Sequence, residues 1–158
     1  MFIRAFVDED LPAVHAVQLQ CPHAAQWQED DYLRLAGIPG GMILIAQVAK
    51  AGPPEIVGFA AFHRISDEAE LHNLAVNPAH QQRGVARALL QEGIRKLREA
   101  GTRRVFLEVR ASNLPAVGLY ASAGFTLHST RRGYYQNPVE DALVMALELI
   151  PVSRIPSC

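Results

Sequence analysis

The run Leu74-Ala75-Val76-Asn77-Pro78-Ala79-His80-Gln81-Gln82-Arg83-Gly84-Val85-Ala86 constrains the fold more than any other part of this chain. An apolar strand stops at Pro78, a short polar loop follows, and Gly84 stands where a long helix begins. Gly84 and Ala86 carry little or no side chain, so a diphosphate can come close to the backbone there. The N–H groups of a first helical turn have no intrahelical acceptor, and the helix dipole favours an anion at that end. Arg83 and Arg87 add positive charge. Each contact of this kind contributes about 0.3–1 kcal/mol, so several together can hold a pyrophosphate. The competing reading is an ordinary loop whose small residues ease helix packing. Neither G-x-G-x-x-G nor Gly-Lys-Ser/Thr is present, which removes the dinucleotide and nucleoside-triphosphate fingerprints.

Around this run the patterning predicts a mixed α/β sheet. Met1 to Phe6 reads as a strand, followed by a helix capped by Asp8 or Asp10, with Pro12 in its first turn and Leu11, Val14 and Val17 near helical spacing. A second helix is expected over Trp27 to Ala36, closed by Gly37 and the Pro39-Gly40-Gly41 break. Met42 to Val48, Ile56 to Ile65 and Glu70 to Val76 read as successive strands joined by turns at Lys50–Pro54 and Ser66–Glu68. Val85, Leu89, Ile94 and Leu97, with Ala86 and Leu90, make one broad helical stripe that ends at Gly101. Arg104 to Arg110 alternates as a strand, with Val105, Leu107 and Val109 on one face and Phe106, Glu108 and Arg110 on the other. Asn113 caps a short helix to Ala123, and Phe125 to Ser129 and Ala142 to Leu149 are the last strands. Meandering strands first, then strands joined through helices, fit an α/β (α+β) sheet flanked by helices.

At 158 residues the chain fits one domain, and 49% apolar with 20% charged residues excludes a disordered tail. No run approaches the roughly 20 apolar residues of a bilayer span, and Asp8, Glu9 and Asp10 are not part of a secretory signal. A cytoplasmic address, with no membrane partner, is the expectation. A net charge of −1 provides no basic field for nucleic acid. Cys21 and Cys158 read as free thiols, and His15, His23, His63, His80 and His128 show no metal-ligand spacing, so no metal is expected.

Gln81 to Ala86 matches the pattern Gln/Arg-x-x-Gly-x-Gly/Ala. Asn73-Leu74-Ala75-Val76-Asn77-Pro78 precedes it, and Leu107-Glu108-Val109-Arg110-Ala111-Ser112-Asn113, Leu119-Tyr120, Gly124-Phe125, Arg131-Arg132-Gly133-Tyr134-Tyr135 and Glu140-Asp141-Ala142 follow in order. In these motifs the chain resembles the GNAT superfamily of N-acetyltransferases, and within it the RimI family of bacterial ribosomal-protein alanine N-acetyltransferases. The likeness runs from about Glu68 to Leu149. It implies a GNAT domain over residues 1–150 with a tail at 151–158, a central, mostly antiparallel mixed sheet, and acetyl-CoA as co-substrate. It implies that the backbone of Leu74, Ala75 and Val76 holds the pantetheine arm and the thioester carbonyl. Gln81, Gln82, Arg83, Gly84, Val85, Ala86 and Arg87 would hold the pyrophosphate, and Asn113 would bond the CoA arm. It also implies Glu108 as a base acting through water, Tyr120 as the acid that protonates the CoA sulfur, and Trp27, Tyr134 and Tyr135 as the lining of the acceptor groove. The acceptor it implies is a protein N-terminus, the alanine of a small-subunit ribosomal protein. The chain departs from the family at Gln26, where a proline usually precedes Trp27, and Cys21 to Gln28 matches loosely.

The residues support part of this without the resemblance. A free α-amine titrates at about 7.7–8.0 and a lysine at about 10.4, so the first supplies more neutral nucleophile near pH 7. Glu108 is a charged residue inside an apolar strand, the setting of a base; the alternative is an edge glutamate paired with Arg110 or Arg131. Glu70 and His72 are further candidates, since they share a face of the preceding strand if it is regular, and histidine has the more suitable ordinary pKa. Tyr120 alone reads as a buried aromatic beside Gly124 and Phe125, and Asn113 as a plain helix cap. Two other functions remain open: a small-amine or antibiotic acetyltransferase, and a catalytically silent acetyl-CoA-binding module, which would need neither Glu108 nor Tyr120.

Overall fold

Alternation of apolar residues along the three long central strands gives both faces of the sheet a core to cover. In the computed structural model, which describes residues 1–150, the elements are β1 (Phe2–Ala5), α1 (Leu11–Leu19), α2 (Glu29–Gly37), β2 (Gly41–Lys50), β3 (Gly52–Ile65), β4 (Glu68–Val76), α3 (Val85–Glu99), β5 (Arg104–Arg110), α4 (Leu114–Ser122), β6 (Thr126–Tyr135) and β7 (Glu140–Glu148). The expected tail at 151–158, with Cys158, lies outside the described residues. The strands form one sheet in the order β1-β2-β3-β4-β5-β7-β6. Every neighbouring pair is antiparallel except β4 with β5, so the sheet is mixed and mostly antiparallel.

Ile43, Ile45, Phe59, Ala61 and Ala75 face one side and pack on Val14 and Val17 of α1 and Tyr32 and Leu35 of α2. Leu44, Ala60, Phe62, Val105, Leu107 and Val109 face the other side and bury Leu89, Leu90, Ile94 and Leu97, the stripe of α3, together with Tyr120 and Phe125. Gly93 sits where α3 crosses β3, and a Cβ built on it would lie 2.3 Å from the Phe62 ring. Only a bare helix face lets the helix sit this low. Gly93→Ala is therefore expected to lower stability by about 1–3 kcal/mol through overpacking, although alanine is the better helix former by about 1 kcal/mol. A urea melt with an unchanged or higher midpoint would count against this packing.

Several boundaries differ from those expected. The second helix begins at Glu29, so Trp27 lies in the loop ahead of it. The start is fixed by a polar clasp in which Gln28 N–H donates to Asp31 Oδ2 at 2.8 Å. Asp10 stands at the head of α1 without capping it. Its carboxylate instead takes both Arg4 nitrogens at 2.7 Å and the Val7 N–H at 2.9 Å. The Arg4 hydrogen bond holds that carboxyl below the usual carboxylate range. Arg131 to Tyr135, beyond the strand expected to end at Ser129, are the far end of β6, and the structure extends β7 back to Glu140.

Two features of the sheet position the site. Pairing of β4 with β5 runs only from Glu68↔Arg104 to Leu71↔Leu107. Beyond it, β4 continues to Val76 and β5 to Arg110, so the two strands part into a V-shaped cleft. At the same point β4 bulges: Phe62 opposes Leu71 and Ala61 opposes Asn73, leaving His72 as the extra residue. The bulge changes the strand's parity. Ala69 and Leu71 face α3 before it and Leu74 and Val76 after it, while Ala75 faces α1 and α2.

Candidate active site

The loop from β4 into α3 is braced from several sides. Asn77 donates its N–H to Val57 O at 2.7 Å and accepts the Ala79 N–H on Oδ1 at 2.9 Å. The Val76 carbonyl accepts from Gln81 Nε2 at 3.0 Å and from the buried Cys21 thiol at 3.2 Å. Gln81 is thus committed to the shape of the loop: its side chain reaches back to β4 and its own N–H to Pro78 O. Gln82 and Gly84 both have positive φ, +61° and +82°, which curls the backbone into the head of the helix. The first intrahelical bond runs from Ala88 N–H to Gly84 O at 3.0 Å. The N–H groups ahead of Ala88 in that turn therefore have no helical acceptor. A Cβ on Gly84 would meet nothing within 4 Å. Arg83 and Arg87 are exposed beside this open cradle, and Val85 is buried as its floor. The donor set and the open space suit a diphosphate.

From the loop, Leu74, Ala75 and Val76 lead along the unpaired edge of β4 into the cleft. Opposite them β5 ends in a turn where Asn113 Oδ1 accepts the Ala116 N–H at 3.3 Å, so the capping reading of Asn113 holds.

Glu108 lies on β5, one residue past the last pairing with β4, on the face opposite the buried Leu107 and Val109. Its Oε1 is 3.1 Å from Arg131 Nη1 of β6, one of the two partners weighed from the sequence. Arg110, the other, lies over the Tyr135 ring at 4.0 Å and reaches Glu140 Oε2 at 3.5 Å. The Ser112 N–H donates to Glu140 Oε1 at 2.6 Å, and hydrogen bonding from Ser112, its side chain first and then this N–H, holds the Glu140 carboxyl low ahead of Arg110. Tyr134 and Tyr135 stack edge to face at 5.1 Å, with the Arg131 guanidinium 5.2 Å from the Tyr134 ring. Burial pushes the Tyr135 phenol up, and the Glu108 charge adds to it. Tyr120 of α4 is buried edge to face against Phe125 at 5.8 Å. Burial, then the nearby Tyr135, pushes its phenol well above the ordinary tyrosine range. The structure therefore gathers Glu108, Tyr134 and Tyr135 around one side of the cleft, while Tyr120 packs with Leu107 and Val109 on the opposite face of β5, with Tyr135 as its titratable neighbour.

Trp27 lies on the other side, its ring 5.0 Å from Tyr32 and 6.1 Å from His72. With Asp31, Arg34, Leu35, Ile38 and His72 it lines a groove of about 290 Å³. A buried polar network, missed in the sequence, fixes its loop. Gln18 Nε2 donates to Trp27 O at 2.9 Å and Gln18 Oε1 accepts the Tyr32 hydroxyl. Asn73 clasps Ala25 with bonds of 3.1 and 3.2 Å. A glutamine among the apolar positions of α1 and an asparagine inside β4 were the available signals. Glu70 and His72 are brought together as well, at 3.9 Å, on a strand that is not regular.

A splayed parallel pair with an anion cradle at the head of the following helix makes a site for a diphosphate-bearing co-substrate, and comparison with known proteins specifies it. The model of the Acetyltransferase (GNAT) family matches residues 11–125. The chain belongs to this family and is an N-acetyltransferase of the kind that uses acetyl-CoA. It is 39% identical over 142 residues, 89% of this chain and 92% of the relative, to the [ribosomal protein bS18]-alanine N-acetyltransferase of Escherichia coli (strain K12). The protein of the same name from Haemophilus ducreyi is 34% identical over 150 residues, covering 93% and 99%. The crystal structure of the ribosomal-protein-S18-alanine N-acetyltransferase from Escherichia coli superposes with a TM-score of 0.83 at 33% identity, covering 99% of both chains.

Proposed function

We propose that this protein acetylates the N-terminal α-amine of a protein, with the N-terminal alanine of a small-subunit ribosomal protein as its acceptor. The observation that carries the choice of acceptor is the 39% identity, over nine-tenths of both chains, to an enzyme named for that reaction. A ribosomal acceptor places the protein in the cytoplasm. No helix among the described residues is long and apolar enough to cross a membrane.

In this reading the Gly84 turn holds the CoA diphosphate through its free N–H groups, with Arg83 and Arg87 alongside, and the open edge of β4 at Leu74–Val76 lines the pantetheine arm. Asn113 adds a bond to that arm. Trp27 on one side and Tyr134 and Tyr135 on the other admit an extended N-terminal segment. Glu108, through a water, takes a proton as the amine adds to the thioester carbonyl, and Tyr120 donates one to the departing sulfur. Because burial raises the Tyr120 phenol, it keeps its proton throughout the working pH range.

The test is a panel of acceptors with acetyl-CoA: an alanine-initiated peptide, the same peptide with its amine blocked and a lysine inside, and a polyamine. The expected result is acetylation of the first alone, read by mass. Preference for lysine or polyamine would make this a different acetyltransferase, and binding of acetyl-CoA with no transfer to any acceptor would make it a binding module.

A further inference from the structure

Two protons leave the nitrogen in each turnover of an α-ammonium. One must go before the lone pair can attack, and one goes as the tetrahedral intermediate collapses. A single base with a single acid accounts for only the second, since the proton given to sulfur is returned by the proton Glu108 collects. The first has to reach solvent by another route. With an α-amine titrating at about 7.7–8.0, most of the acceptor arrives as ammonium at pH 7.

His72 is placed for that step. His72 is the extra residue of the β4 bulge, placed where β4 and β5 begin to part. Its ring is 6.1 Å from Trp27 and 6.1 Å from His63, and it lines the groove beneath Trp27. Glu70, two residues earlier on the strand, has its Oε1 3.9 Å from His72 Nδ1, too far for a hydrogen bond. Glu70 opposes Phe106 and Leu71 opposes Leu107, so Glu70 and His72 share the cleft-facing side with Glu108. The titratable and charged groups around His72 are Glu70 on its own strand, His63 on β3, Asp31 and Arg34 on α2, and Glu108 on β5. Of these, Asp31 is engaged by Gln28 N–H and Arg34, and Glu108 by Arg131.

We propose that His72 is the proton acceptor that converts the acceptor's ammonium to the neutral amine before Glu108 acts. The imidazole takes the first N–H proton and passes it to solvent through the open groove. The nitrogen lone pair then forms the bond to the acetyl carbon, Glu108 collects the second proton through water, and the C–S bond breaks as Tyr120 gives its proton to the sulfur; the proton on Glu108 then restores Tyr120. The inference rests on the α-amine reading above.

The experiment is the pH dependence of kcat/KM for an alanine-initiated peptide, at saturating acetyl-CoA, in wild type and His72→Gln. Wild type should hold its rate below the titration of the amine. His72→Gln should follow the neutral-amine fraction alone, so its acidic limb moves up to about 7.7–8.0. That costs about eightfold at pH 7, more below it, and nothing near pH 9. Added imidazole should restore the rate of a His72→Ala variant at neutral pH. Superimposable profiles, or a uniform loss with the limb unmoved, would overturn the proposal, the latter by showing a packing role. Wild-type protein that acetylates no α-amine at any pH would instead overturn the acceptor assignment.

Discussion

Glu108→Gln is expected to lower kcat with an alanine-initiated peptide about 10²-fold or more, with acetyl-CoA affinity nearly unchanged. The amide keeps the volume and planarity of the carboxylate, so β5, whose inner face is the buried Val105, Leu107 and Val109, has no reason to shift. It cannot accept a proton at neutral pH. The substitution also removes the charge that meets Arg131 at 3.1 Å, and that loss must be told apart from the loss of a base. Arg131 is largely exposed, and an ion pair at a solvated edge contributes at most about 1 kcal/mol. Arg131→Gln should therefore leave most of the turnover in place. If the two variants lose rate equally, Glu108 serves only to anchor β6, and the proton acceptor must be sought elsewhere. Turnover at the wild-type level in Glu108→Gln would remove it from the chemistry altogether.

How much of this site is legible in the chain depends on whether a feature is local. The alternation that puts Glu108 opposite Leu107 and Val109 is a property of seven consecutive residues, and the structure reproduces it. The Gly84 turn is equally local, because a left-handed backbone at the head of a helix favours a glycine at that place. The bulge at His72 has no such mark. An extra residue leaves composition untouched and alters only the parity of the strand beyond it, so nothing in Leu71-His72-Asn73 announces that Leu74 faces the same side as Leu71. The parting of β4 and β5 is likewise a matter of register between segments more than thirty residues apart. Tyr134 and Tyr135 fall outside the strand read to Ser129 for a physical reason. Nearly all of β6 is exposed, so no buried face demands alternation, and the charges of Arg131 and Arg132 resemble those of a turn. Trp27 reads as helical because an apolar residue ahead of an amphipathic run looks like its first turn. The clasp between Gln28 and Asp31 that starts the helix later is visible only in three dimensions.

The second large effect falls on the cradle. Gly84→Glu is expected to weaken acetyl-CoA binding about 10²-fold or more, an increase in binding free energy of about 2.7 kcal/mol, while the protein still folds. Three contributions add in the same direction. A side chain at φ +82° costs about 1–2 kcal/mol in a left-handed backbone, and relaxing it would turn the free N–H groups away from the diphosphate. The new side chain would project into the space that the diphosphate needs, since nothing of the protein lies within 4 Å of the added Cβ. Its charge would repel phosphate where Arg83 and Arg87 now attract it. The same open space is why the fold should survive: Gly84 is exposed and no core residue is displaced. Gly84→Ala separates the contributions. It carries the backbone cost without bulk or charge, so its thermal midpoint should fall by nearly as much as that of Gly84→Glu, while its affinity stays within about tenfold of wild type. Calorimetry on the two variants decides the matter. If Gly84→Glu takes up acetyl-CoA as wild type does, the diphosphate does not lie on this turn, and the order of groups along the cleft, from Leu74 to Glu108, has to be rebuilt from another anchor.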